Sequence, residues 1–397
     1  MTAETLAPPR ETVGPVAWLR KNLFSSPMSS LVTLLLLGLL VAMLVNVAQW
    51  VLIDARWEVI TRNLRLFLIG QYPVSEAWRI WLSLLVLSSL AGLSAGVFGR
   101  TTRTLAIALS AIQALLAGLM AVSAIAPQVV LAILLNAALV WLGMVIGFRG
   151  LVPRRALTIG WLASIPVIVL LLNGFPGTPL AAVSSNLWGG LLLTVILATV
   201  GILLSFPLGV LLALGRRSAL PAVRALSTAY IEVIRGVPLV TILFMADIML
   251  PLFLPGEVRI ERVVRAMGGL TLFTAAYVAE NVRGGLQAIP TGQIEAAHAL
   301  GLSTVRTNLH IVLPQALRSV IPANVGLFIS LLKDTTLVTI IGLLELLGIG
   351  RAVLAQPESL GAHLEVYLFV AAVFFVLCYA MSQASYRLES ALGVGER

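Results

Sequence analysis

Runs of about twenty apolar residues, each long enough to cross a bilayer as a helix, follow one another along almost the whole of this 397-residue chain. Inside hydrocarbon every peptide N–H and C=O must be satisfied within its own segment or in a closed barrel, so continuous runs of this length are predicted as α-helices. About ten segments qualify. Five come early, near residues 30–53, 79–99, 104–125, 128–148 and 156–173, and five follow near 187–214, 226–254, 267–289, 311–341 and 365–387. Composition agrees, since 59% of residues are hydrophobic and 11% charged, against about 25% charged in an ordinary soluble domain. The expected fold class is an all-α polytopic membrane protein.

Several functions are excluded by the same reading. The net charge of +9 comes from basic residues in short clusters between apolar runs rather than along one stripe, which suits topology signalling and argues against nucleic acid as a partner. Cys378 stands alone inside an apolar run, so no intrachain disulfide or zinc cluster is expected, and a small buried hydrophobe is the plainer role. His298, His310 and His363 fall at no metal-ligand spacing, and no metal is expected. The two lysines, Lys21 and Lys333, lie outside any phosphate-cradling G-x-x-x-x-G-K-[ST] loop, so no nucleotide cofactor is expected on this chain. A multi-span enzyme finds no catalytic constellation here.

Orientation follows from the arginines. With the N-terminus inside, Arg20/Lys21, Arg100/Arg103, Arg149/Arg154/Arg155 and Arg216/Arg217/Arg224 all fall on the cytoplasmic side. The opposite side receives Arg56/Arg62/Arg65/Arg79 and Arg259/Arg262/Arg265, the latter interleaved with Glu257 and Glu261, and the inner side keeps the excess. Residues 1–27, with Pro8, Pro9, Arg10, Arg20 and Lys21 and no cleavable small-residue site, read as a retained cytoplasmic tail, and both termini are expected inside. Leu171 to Asn186, with two prolines and two glycines, reads as an external boundary between a bundle at 28–175 and a second half at 185–390. Asp54 to Trp78 is the sizeable connection within the first half. Gly92-x-x-x-Gly96 permits close helix contact, a spacing that also arises by chance in such a composition. The halves show no sequence repeat of the kind inverted-repeat carriers have, which counts against a stand-alone secondary transporter.

Between the eighth and ninth runs lies a polar module at 290–314, on the inner side. Thr291 is expected to cap a helix with Glu295 in an early turn, where negative charge is favoured, and Gly301 is expected to stop it in the left-handed conformation. About nine residues lie between, roughly 13 Å of helix, and Ala296, Ala297 and Ala299 leave it thin enough to enter a groove. Pro314 suits the first turn of the next helix. A partnerless amphipathic re-entrant hairpin is the alternative on spacing alone.

Glu295-Ala296-Ala297, Gly301, Ile311, Leu313 and Pro314 resemble, at full spacing, the E-A-A…G…I-x-L-P signature of membrane subunits of binding-protein-dependent ABC importers. Tyr230-Ile231-Glu232-Val233-Ile234-Arg235-Gly236-Val237-Pro238-Leu239 and Ala276-Tyr277-x-x-Glu280-x-x-Arg283-Gly284 are similar to stretches of the polar amino-acid branch. Pro314-Gln315-Ala316-Leu317-Arg318 and Leu332-Lys333-Asp334-Thr335-Thr336-Leu337 continue that pattern. The opening Ala17-Trp18-Leu19-Arg20-Lys21-Asn22-Leu23-Phe24 resembles the longer permeases of general or neutral amino-acid importers. The resemblance implies a five-helix type I ABC importer core at 185–390, preceded by a five-helix extension. It also implies a second permease chain, two cytoplasmic ATPase subunits that carry Mg-ATP, and a periplasmic amino-acid-binding protein, all assembled in a bacterial inner membrane and its lipid bilayer. Glu295, Ala296, Ala297, Gly301, Leu313 and Pro314 would then couple the chain to the ATPases.

Charged groups deep in spans require pairing or function. Glu232 and Arg235, three apart, can neutralise each other on one helix face or contact substrate. Glu280 and Arg283 repeat that spacing near the inner end of their span, where snorkelling or an ATPase interface is the plainer account. Asp247 has no partner at helical spacing and is the better candidate to line a polar path. Lys333 and Asp334 interrupt the ninth run, where a helix break would serve a gate or a receptor contact. One departure from the family pattern concerns Pro322 to Phe328, where polar amino-acid permeases carry an Asn-Glu pair: this chain has Asn324 but is apolar at those two positions. The expected cargo is therefore neutral or broad-range, or the partner permease holds the specificity.

Overall fold

The computed structural model describes residues 14–99, 102–104, 106–107, 109–111, 113–114, 117, 127–175, 177–178, 180–255 and 259–393. Pro8, Pro9, Arg10, Arg100, Pro176, Pro179, Glu257 and much of the apolar run 104–125 lie outside the described residues. Within them the regular structure is helical, apart from two isolated backbone bridges. The chain divides into two compact units, Met1–Glu58 and Val59–Arg397.

The first unit contains α1 (Pro15–Asn22) and α2 (Pro27–Gln49), the latter continued by a π turn at Trp50–Asp54. Ser26 caps α2 reciprocally: Ser29 N donates to Ser26 Oγ at 3.2 Å and Ser26 N to Ser29 Oγ at 2.9 Å, with Pro27 at the first helical position. At 23 residues α2 spans about 34 Å. It is apolar all round and buries no residue, which is the surface of a helix solvated by lipid.

The second unit takes in α3 (Glu58–Arg62) from Val59 onward and α4 (Leu64–Ile69), and continues through α5 (Trp78–Val97), α6 (Pro127–Phe148) and α7 (Arg154–Asn173). The glycine spacing in α5 meets a second one in α6. A Cβ added to Gly92 would lie 2.2 Å from Val140 O, one on Gly96 2.5 Å from Met144 O, and one on Gly147 2.7 Å from Leu93 O. Backbone touches backbone there, as small-residue packing in membranes allows. Ser88 Oγ also bonds Asn136 Oδ1 across this contact at 3.0 Å.

The second half holds α8 (Gly190–Arg216), α9 (Pro221–Gly236), α10 (Leu239–Phe244), α11 (Leu250–Phe253), α12 (Arg262–Gln287), α13 (Thr291–Ala299), α14 (Thr304–Thr307), α15 (Leu313–Asp334), α16 (Leu346–Leu354) and α17 (His363–Leu392). Helix α12 forms its centre, with Val263, Leu270, Ala275, Val278 and Val282 fully buried. Gly209 on α8 and Gly285 on α12 allow close approach: added Cβ atoms would meet Val278 Cβ at 2.6 Å and Ala316 O at 2.8 Å.

The connection expected at Asp54 to Trp78 is no open loop. It folds as α3, α4 and a 3₁₀ turn at Val74–Glu76, and buries Phe67 and Tyr72. Tyr72 Oη donates to Leu172 O at 2.8 Å, and Phe67 meets Phe369 of α17 edge-on at 5.0 Å between centroids. Gly70, at φ 62°, pairs with Trp188 and comes so close that an added Cβ would lie 2.4 Å from Gly189 Cα. These contacts join residues on either side of, and within, the Pro/Gly stretch at 171–186.

Among the described residues seven helices are long and apolar enough to cross a membrane, or eight if one bent pair counts as a span, and the run expected at 104–125 lies largely outside those residues. Two other expected runs depart from a plain span for physical reasons. The run at 226–254 is broken by a 108° bend between α9 and α10, because Pro238 lacks an N–H and holds Val237 extended at φ −110°, ψ 134°. Helix α12, 26 residues long, carries Arg262, Arg265, Glu280 and Arg283 and is the least apolar of the long helices.

Candidate functional site

The module at 290–314 hangs from the ends of α12 and α15. Pro290, at ψ 135°, sets the chain for α13 directly, so Thr291 is the first helical residue and not the cap, and no side chain caps this helix. Glu295 is accordingly in the second turn, beyond the orphan N–H groups, and points outward. The stop at Gly301 is as the sequence suggests: φ is 77°, Gly301 N bonds His298 O at 2.9 Å, and Leu302 N reaches back to Ala297 O at 3.1 Å. That pair of bonds is a Schellman closure, which requires the left-handed residue.

Helix α13 is anchored through Ala297, 2% exposed, and through Ile294 and Ile289, which pack on a cluster containing Val282, Val312 and Ala316. Glu295, Ala296, His298 and Ala299 face outward. Leu300 is 81% exposed, Val305 66% and Leu309 52%, so three apolar side chains stand bare at and after the turn. Pro314 falls in the first turn of α15, as the sequence suggests. The helical path begins earlier: Ser303 caps α14, accepting from Arg306 N at 3.4 Å, and a π turn at Asn308–Val312 carries the chain into α15, with Leu313 N bonding Asn308 O. Pro314 has no N–H and its ring crowds the preceding turn, which the wider π turn accommodates.

Next to this module, where the C-terminal ends of α8, α9 and α12 meet, lies a charged cluster. Arg216 Nη2 is 2.8 Å from Glu232 Oε1, and its Nη1 3.5 Å from Glu280 Oε2. Arg235 Nη1 is 3.6 Å from Glu280 Oε2 and its guanidinium lies 5.8 Å over Tyr277. Arg283 holds both Glu280 oxygens through Nε at 3.0 Å and reaches Gln287 Oε1 at 2.6 Å. The pairing Glu232–Arg235 is thus replaced by two interhelical pairs. Arg217 Nη1 bonds Leu286 O at 3.4 Å, which puts the Arg216/Arg217 end of α8 beside the start of the 290–314 module.

The remaining candidates are spread over other elements. Asp247 sits in a π turn at Met245–Met249, 3.2 Å from Arg265 Nη1 and 3.4 Å from Arg262 Nε; Arg265 also donates to its main-chain carbonyl. Its partners are therefore on α12, invisible to helical spacing. Asn324 is buried in mid α15 and accepts from Asn281 Nδ2 at 3.0 Å, while its own Nδ2 has no hydrogen-bond partner among the described residues. Lys333 and Asp334 close α15 where it tightens into a 3₁₀ segment at Thr335–Ile341. Sequence reasoning missed Glu345, fully buried at the N-cap of α16. Its Oε1 accepts from Gly348 N at 2.8 Å and Thr339 Oγ1 at 2.9 Å, and its Oε2 from Leu347 N at 2.9 Å. Burial pushes its carboxyl above the ordinary range despite these bonds. It also missed Arg216 as a hub, because the positive-inside count had assigned that residue to topology.

Residues 205–392 match the family described as binding-protein-dependent transport system inner membrane component. The fold and this match define the class, a multi-pass inner-membrane component of a transport system. The chain is 37% identical to the inner membrane amino-acid ABC transporter permease protein YhdY of Escherichia coli, over 96% of its own length and 94% of YhdY. It is also 37% identical to the glutamate/glutamine/aspartate/asparagine transport system permease protein BztC of Rhodobacter capsulatus, over 98% of its length and 97% of BztC. The probable glutamine ABC transporter permease protein GlnP of Bacillus subtilis is 37% identical over 51% of this chain and 92% of GlnP. The chain belongs to this family and is a transmembrane permease subunit of an amino-acid ABC importer.

Proposed function

We propose that α13 and the bare Leu300 couple the spans to cytoplasmic ATPase subunits, so that nucleotide-driven closure in the partners tilts the helices between inward- and outward-facing arrangements. The observation that carries this reading is the split character of the module: Ala297 and Ile294 fasten it to α12 and α15, while Leu300, Val305 and Leu309 lie bare. Bare apolar side chains next to the polar, outward-facing surface of α13 suit contact with a partner's surface. Movement imposed on α13 passes through Ile294 to the cluster around Val312 and Ala316, a packed contact able to transmit displacement.

Two ATPase subunits with Mg-ATP, a second permease chain and a periplasmic binding protein complete the assembly in this proposal, with both termini of this chain cytoplasmic. Hydrolysis is assigned to the ATPases and none to this chain. Asp247, Glu232, Arg235, Asn324, Lys333 and Asp334 are the candidate path or gate residues. The ion pairs of Asp247, Glu232 and Arg235 favour an electrostatic part in holding helices together over direct substrate contact. A broad cargo is supported by the acids and amides in the name of BztC, and by the apolar Gly326 and Leu327 beside Asn324.

The test uses the whole importer in proteoliposomes with its binding protein and labelled amino acids. Leu300→Asp should abolish ATP-driven uptake while the chain still inserts and melts as wild type. Undiminished uptake would remove the module from coupling.

A further inference from the structure

A groove between α5 and α7 has no part in the reading above. It encloses about 450 Å3 and is lined by Leu85, Val86 and Leu90 on α5 and by Gly160, Ala163 and Val167 on α7. One end is fastened where Trp161 Nε1 donates to Ser94 Oγ at 2.9 Å. There Gly160 is tight against α5, since an added Cβ would lie 3.1 Å from Leu90 Cδ2. Beyond it the small side chains of Ala163 and Ser164 leave the trough open.

The lining makes no polar demand. Ser89 Oγ donates to Leu85 O and Ser164 Oγ to Trp161 O, both at 2.8 Å, so both lining serines are satisfied within their own helices. A polar ligand finds no partner in the trough, and hydrocarbon fits it. Both walls lie in mid-span, where the surrounding solvent is lipid.

Charge identifies which lipid. The fastened end is the end of the bundle that carries Arg103, Arg149, Arg154 and Arg155, all exposed, with the Arg103 guanidinium 4.4 Å over the Phe148 ring. Between Glu76 and Glu232 the sequence contains no Asp or Glu. Among the described residues none of these four arginines is in an ion pair. Arg154 precedes Gly160 by six residues, about 9 Å along the helix, a depth that puts acyl methylenes beside Gly160 when a phosphate sits at the arginines. The positive-inside preference accounts for the arginines, but not for an apolar trough that ends beneath them.

We infer that this bundle holds an anionic phospholipid, with one acyl chain in the α5/α7 trough and its phosphate among Arg103, Arg149, Arg154 and Arg155. The full chain, purified in detergent and stripped of lipid, would be incubated with equal amounts of dioleoylphosphatidylglycerol and dioleoylphosphatidylcholine. Lipid retained after repurification is counted by mass spectrometry. Wild type should retain phosphatidylglycerol over phosphatidylcholine by about fivefold or more, the effect of one well-placed arginine. Ala163→Phe, which fills the trough, should reduce retained phosphatidylglycerol to background. Arg154→Gln with Arg155→Gln should bring the preference toward unity, and the corresponding lysine pair should keep it. Equal retention of the two lipids by wild type overturns the inference, whatever the variants do. So does an Ala163→Phe chain that keeps its phosphatidylglycerol, including one that instead loses a protein partner, which would make the trough a helix-docking site.

Discussion

Arg216 Nη2 lies 2.8 Å from Glu232 Oε1, tying the last residue of α8 to α9. The same guanidinium approaches Glu280 of α12, which also receives Arg235 and Arg283. One carboxylate therefore gathers cations from three helices, while Glu232 stands half exposed at the edge. Exposed pairs contribute about 0–1 kcal/mol, whereas loss of the shared carboxylate leaves three guanidinium groups repelling one another. Glu280→Gln should lower the melting temperature of the purified chain by several degrees, at about 2–4 °C per kcal/mol, and Glu232→Gln by less. A larger loss in Glu232→Gln would show that Glu280 is not the centre of the cluster.

That cluster shows where sequence reading stops. Three-residue spacing says which side chains can meet on one helix, so it offered Glu232 with Arg235, while the pairs that form lie across helices. Asp247 lacked a partner for the same reason, and its partners are Arg262 and Arg265. Hydropathy likewise merged α9 and α10, because apolarity carries no information about the bend that Pro238 imposes. What depends on local backbone alone was legible. Gly301 is left-handed because the Schellman closure after α13 needs it, and the apolar runs became helices because lipid leaves the backbone no other partner.

At Gly301 the space around an added Cβ is open, so the obstacle to substitution is the φ of 77° and not a clash. A β-branched residue held left-handed costs about 1–2 kcal/mol, and Asn tolerates that region better. Gly301→Val should uncouple ATP hydrolysis from uptake in proteoliposomes, and Gly301→Asn should retain most of the coupling. Equal impairment by both would point to crowding by a partner instead of backbone strain.

Gly92 offers a test of packing in the first bundle. Its added Cβ would lie 2.2 Å from Val140 O, a backbone atom that cannot turn aside, so Gly92→Ala must push α5 and α6 apart. Overpacking of this kind costs about 1–3 kcal/mol. Gly38→Ala in α2, where nothing lies within 4 Å, is the control and should be neutral or slightly stabilising. Thermal melting of the two variants should separate them by several degrees, and coincident curves would mean that α5 and α6 are not in close contact.

Glu345 gives a pH dependence with a definite sign. Burial raises its folded pKa above the ordinary 4.5, outweighing the donors Leu347 N, Gly348 N and Thr339 Oγ1. The folded chain then holds this proton more tightly than the unfolded chain. Stability from the group is complete below the unfolded value and is lost as pH rises through the raised folded value. Glu345→Gln keeps an acceptor for Thr339 Oγ1 and Gly348 N but faces Leu347 N with an amide, a pH-independent cost of about 1–3 kcal/mol. The advantage of wild type over Glu345→Gln should therefore shrink as pH climbs from the ordinary 4.5 into the neutral range. Melting temperatures of the two proteins at matched pH, with every other carboxylate common to both, isolate the effect. A difference constant across that interval would show that the Glu345 carboxyl does not change charge within it, and that the three hydrogen bonds at the α16 N-terminus outweigh its burial.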